Sequence, residues 1–92
     1  MAPIIKDDRT TDQRETHRIG VVGTDSFLTG WGEAENRTSY AVWACRDYDD
    51  AYRAERQIRA RGDMSRVRIV DLRTYRPRGA VHVHIYVWRD QG

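Results

Sequence analysis

A chain of 92 residues with 39% apolar and 33% charged content allows one small domain with a thin core. No apolar run approaches the roughly 20 residues of a membrane span, and the N-terminus turns polar at Lys6, so neither a span nor a secretory leader is expected. The single cysteine, Cys45, rules out an internal disulfide and fits a reducing cytoplasm, and the net charge of +2 falls short of a strongly basic binder.

Residues 1–17 hold only Ile4 and Ile5 as sizeable apolar side chains, show no periodicity, and read as a disordered arm. Residues 18–92 read as a single α+β domain. Ile19, Val21 and Val22 suggest a first strand closed by Gly23. In Thr24–Trp31, Phe27 and Trp31 lie four apart behind a polar cap, which suggests a single helical turn, and a loop runs from Gly32 to Thr38. Ser39–Cys45 alternates, with Tyr40, Val42 and Ala44 on one face and Ala41, Trp43 and Cys45 on the other.

The strongest helix follows. Asp47 or Asp49 can cap it, acidic residues fill its first turn, and Arg56, Arg59 and Arg61 load its last, which complements the helix dipole. Tyr48, Ala51, Ala54 or Glu55, and Ile58 mark a narrow inner stripe, and Gly62 ends it. A third strand is expected over Arg66–Arg73 with Val67 and Ile69 inward, then a turn holding Pro77 and Gly79. The final strand, Val81–Trp88, has Val81, Val83, Ile85 and Val87 on one face and His82, His84, Tyr86 and Trp88 on the other. The predicted fold is a mainly antiparallel four-stranded sheet with one long helix on one face. This is a truncated ferredoxin-like ββαββ unit in which strands 39–45 and 66–73 run parallel across the helix and the last two pair as a hairpin.

One helix covers one face of such a sheet and leaves the other for water, a partner or a ligand. With the helix on the aliphatic side, the open face carries His82, His84, Tyr86 and Trp88, with Arg66 and Arg68 beside them and Trp43 joining. Three readings stay open. Trp, Tyr and Arg are the favoured anchors of protein interfaces, including homodimers. Aromatic platforms flanked by arginine also stack single-stranded bases and hold phosphates. Alternatively, the segment around Phe27 and Trp31 folds back and makes this face ordinary core. The arginine bias, with Lys6 the one lysine among sixteen basic residues, suits phosphate and carboxylate recognition but also follows from a GC-rich coding genome.

Catalytic signatures are sparse. His82-Val83-His84 is similar to the histidine–hydrophobic–histidine motif of rolling-circle replication and relaxase nucleases, and Phe27-Leu28-Thr29 resembles an upstream motif of some of them. Those nucleases use a tyrosine on a helix after the motif, and with Gly92 so close none is expected here. No metal site, cofactor or catalytic residue is predicted. Gly20 and Gly23 lack phosphate-loop spacing. Cys45 and His17 could pair only if an arm residue met a core residue, and Asp49, Asp50 and Glu55 read as a solvated helix start.

Thr24–Trp31, the strand Ser39–Cys45, the helix end Arg61-Gly62-Asp63-Met64 and the strand Val81–Val87 together resemble small proteins of tailed phages and prophages. That resemblance implies a non-enzymatic accessory protein in the host cytoplasm. It would act by binding a host or phage protein complex, with anti-CRISPR proteins as one such class of inhibitor. The alternative is a single-stranded nucleic-acid-binding domain that uses the aromatic and arginine face.

Overall fold

The computed structural model describes residues 2–25 and 38–89. Among these, the chain forms β1 (Ile4–Asp7), α1 (Thr11–Thr16), β2 (Ile19–Asp25), β3 (Thr38–Cys45), α2 (Tyr48–Arg61), β4 (Met64–Asp71) and β5 (Val81–Val87). The strands make one sheet in the order β1-β5-β3-β2-β4. β5 runs parallel to both β1 and β3, while β2 runs antiparallel to β3 and to β4. The expected turn at Phe27–Trp31 and the loop after it lie outside the described residues.

The architecture is α+β, as the sequence suggests, but among the described residues the sheet is five-stranded and mixed, with two helices. It is not a mainly antiparallel four-stranded sheet with one long helix. Two causes account for the difference. The presumed arm supplies an extra strand and helix, and β4 and β5 do not pair as a hairpin. Residues 72–80 instead carry the chain from the β4 edge past β2 and β3 to a slot between β1 and β3. β3 and β4 do run in the same direction on either side of α2, with β2 inserted between them.

Local chemistry explains both helices. Asp47 caps α2 by accepting from the Asp50 amide at 2.8 Å, with Asp49 and Asp50 in the first turn and Arg59 and Arg61 in the last. Gly62 closes it in the left-handed region (φ 77°), where a side chain would be strained. Ala51, Ala54 and Ile58 form its buried stripe, whereas Tyr48, expected to belong to that stripe, is 49% exposed. α1 starts on a reciprocal capping box. The Gln13 amide donates to the Thr10 hydroxyl, and the Thr10 amide donates to the Gln13 side chain.

The sheet has a core on each face. On the helix side, Ile19, Val21 and Cys45 pack with Ala51, Ala54 and Ile58, joined by Trp43, Val67, Ile69 and Trp88. On the other side, Val22, Val42 and Ala44 pack with Val81, Val83 and Ile85, joined by Tyr40, Val70, Leu72 and Tyr75. The crossover that replaces the hairpin therefore covers the second face with Leu72 and Tyr75. Asp71 launches it: the Arg73 amide and guanidinium donate to the Asp71 carboxylate at 2.7–3.0 Å, and the Tyr75 amide donates to the Asp71 carbonyl at 2.9 Å. Gly20 makes room for it, since a Cβ there would sit 2.7 Å from Leu72.

Candidate binding groove beside the helix

The helix does not lie on the aliphatic face of β5, as the sequence led us to expect. That face packs under the crossover, and α2 shares the opposite face with His82, His84 and Tyr86. The small side chains Ala51 and Ala54 let α2 pack closely over Val21 and Cys45, which centres it on β2, β3 and β4. The helix-side surface of β5 and β1 is left beyond its reach. There a groove of about 580 Å³ opens, with Ile4 and Lys6 of β1, His82, His84 and Tyr86 of β5, and Trp43 of β3 among its lining residues. Arg61 and Met64 form the wall at the end of α2.

Strand register builds the aromatic floor. Trp43 and Tyr86 are cross-strand partners, and their rings stack at 5.8 Å between centroids with a 23° interplanar angle. His84 and Tyr86, two apart on one strand, stack at 3.9 Å. Arg61 extends the ladder, its guanidinium carbon 5.5 Å from the Trp43 ring. At the other end His84 Nε2 meets Asp8 Oδ2 at 2.7 Å, which fixes the imidazole. Arg61 pairs with Asp63 at 2.6 Å, so Asp8 and Asp63 are each engaged by a side chain that lines the groove. None of the described lining residues is acidic, and the exposed Lys6 has no ion-pair partner among the described residues. The Ser39 hydroxyl in the wall is buried without a hydrogen-bond partner among the described residues.

Four of the seven sequence-predicted binding residues meet in this groove: His82, His84, Tyr86 and Trp43. Arg66 and Arg68 do not join them. They sit on β4, three strand steps from β5 and so roughly 14 Å away across the sheet. Arg68 shares the face of Val70, opposite the helix, and Arg66 adopts a positive φ of 54° where the β2–β4 register shifts. Trp88 is also elsewhere: it packs into the helix-side core, and its backbone amide donates to the Ala44 carbonyl at 2.9 Å. Sequence reasoning missed Ile4, Lys6 and Asp8 because it treated their segment as an arm. The Thr10–Gln13 capping box just after them was the signal available.

Cys45 and His17 are both buried, but neither is set up as a nucleophile and base. Burial, together with Asp50 and Asp47 nearby, pushes the Cys45 thiol up to about 12, away from the thiolate that reacts. Burial and the charges of Arg46 and Arg9 lower His17. Among the described residues no group of three or more His, Cys, Asp or Glu converges to hold a metal, and no helix is long and apolar enough to cross a membrane. No protein family, curated protein or solved structure matches this chain.

Proposed function

We propose that the protein is a non-enzymatic accessory protein that works by holding a partner protein in the groove beside α2. Inhibition of a host complex, in the manner of a phage-encoded anti-defence protein, is the context that the resemblance to phage proteins suggests. The observation that carries the reading is the half-covered sheet face, where stacked Trp43, Tyr86 and His84 floor a groove walled by Arg61 and Met64. Interfaces draw their energy from such aromatic and arginine anchors in concave, desolvated settings. A thiol raised to about 12 speaks against cysteine chemistry in the sheet core.

The aromatic ladder is also what a single-stranded nucleic acid would stack on, and this is the second reading. Its weakness is the phosphate side. Arg66 and Arg68 lie on the far edge of the sheet, and Arg61 is already paired with Asp63. Affinity capture from nuclease-treated extracts of cells that produce the protein separates the two. A protein partner is expected to persist through nuclease and to be lost with Tyr86→Asp, a change at a 37% exposed position, with an unchanged circular dichroism spectrum as the check that the variant folds. A partner retained by Tyr86→Asp, or released by nuclease, would overturn the first reading.

A further inference from the structure

We infer that the partner enters as an extended acidic segment that adds to β1 as a further strand, its side chains reaching over Ile4 and Lys6 into the groove. This inference rests on the groove being the binding surface, and it names the chemistry of what the groove accepts.

Three observations point the same way. The first is the edge itself. The Asp8 amide donates to the Ile85 carbonyl at 2.9 Å, so in an extended strand Lys6 and Ile4 also turn their backbone groups toward β5. By alternation Ile5 turns its N–H and C=O away from the sheet, where a further strand would find them. Ile4 and Ile5, 49% and 50% exposed, make this an apolar edge.

The second observation is the contrast with the other edge. β4 is blunted by the register shift against β2, by the left-handed Arg66, and by the exposed Ser65, Arg66 and Arg68. Bulges and charges are the devices by which sheets block unwanted pairing. Neither the bulge nor the arginines occur on β1, where the only cation is Lys6.

The third is charge. Lys6 is unpaired among the described residues and no described lining residue is acidic, whereas Arg61 is already held by Asp63 and His84 by Asp8, so Lys6 is the charge that an entering side chain meets uncompensated. Side chains that enter the groove from a strand on β1 pass Lys6 first. Carboxylates are complementary there, and ammonium groups are repelled. The same charge argues against a second copy of the chain, whose own Lys6 would approach this one.

The test uses fluorescein-labelled peptides of about eight residues, long enough to span a strand, that alternate glutamate with leucine or phenylalanine. Controls are the lysine counterparts and acidic peptides N-methylated at alternate amides. Anisotropy is expected to show saturable binding of the acidic peptides and about tenfold or greater weakening for both controls, which corresponds to about 1.4 kcal/mol. Ile5→Pro removes the outward N–H without touching the β1–β5 ladder, and is expected to weaken binding by a similar factor with an unchanged circular dichroism spectrum. Lys6→Glu is expected to reverse the preference toward the lysine peptides.

Equal binding of the N-methylated peptides, an Ile5→Pro variant that keeps full affinity, or no saturation by the acidic peptides at about 1 mM overturns strand addition. So does a dimer whose dissociation frees the edge. If strand addition fails while Tyr86→Asp still releases the captured partner, the groove stands and only its mode of entry falls. If both fail, the groove itself is the wrong surface.

Discussion

Cys45 shows how far burial moves a single group. Its side chain is 1% exposed, in the core between β3 and α2, and its thiol lies 3.6 Å from the Trp43 carbonyl. Burial raises its pKa from 9.0 to about 12, with the carboxylates of Asp50 and Asp47 adding to the effect. A thiol whose pKa is higher in the folded chain holds its proton more tightly there. Its contribution to stability is therefore complete below pH 9 and drains away as pH climbs toward 12. Urea midpoints are expected to fall as pH rises above 9, and Cys45→Ala is expected to lose less over the same range, with Tyr75 titrating in both. Ellman's reagent at neutral pH is expected to label the native protein only as fast as it unfolds. Immediate labelling of native protein would mean the thiol is not in the core described here.

At the scale of elements, the N-terminal segment holds together through one arginine. The Arg9 guanidinium grips the Asp7 carboxylate at 2.7 and 3.0 Å and donates from Nη1 to the His17 carbonyl at 2.9 Å, which ties the end of β1 to the end of α1. Burial alone would raise the Asp7 pKa, but the hydrogen bonds and charge of Arg9, with Arg14 beyond, hold it below its ordinary 3.8. That contribution is present above pH 3.8 and is lost as the pH falls below it. The Arg9 side chain is only 10% exposed, so Arg9→Ala strands a half-buried carboxylate. A loss of about 2 kcal/mol is expected, with faster hydrogen exchange at Asp8 and β1 and unchanged protection in α2. Exchange that rises equally in α2 would show that β1 has no separate attachment.

The same segment marks where sequence reading reached its limit. α2 and β5 were legible because each carries its period over seven or more residues, with Asp47 and Gly62 as punctuation. β1 was not, because Ile4–Asp7 is four residues long at an edge, too short to show a period, and its partner lies far along the chain. Within the site, the alternation of β5 put His82, His84 and Tyr86 on one face, and that of β3 added Trp43. Which face the helix chose depended on a different contact. Leu72 fits against Gly20 only if the crossover packs on the aliphatic side, and Pro77 and Gly79 read equally well as a hairpin turn.

For the whole molecule, the decisive quantity is the separation of its two kinds of recognition residue. A nucleic-acid platform needs stacking rings and phosphate-binding cations on one surface, because each nucleotide presents both groups within a few ångströms. Here the rings line the groove between α2 and β1. The arginines expected to serve them lie on β4, with Arg68 on the opposite face of the sheet. The net charge of +2 supplies little long-range attraction to compensate. Labelled single-stranded RNA is therefore expected to bind only weakly at low salt, with Kd on the order of 10⁻⁴ M, and to be released near physiological salt. Tyr86→Ala is expected to leave that weak affinity unchanged, since the arginine edge would account for it. Arg66→Glu with Arg68→Glu is expected to abolish it without disturbing capture of a protein partner. A tight RNA complex weakened by both Tyr86→Ala and the arginine reversals would mean that one strand of nucleic acid spans the groove and the far edge together, and the protein-partner reading would give way to it.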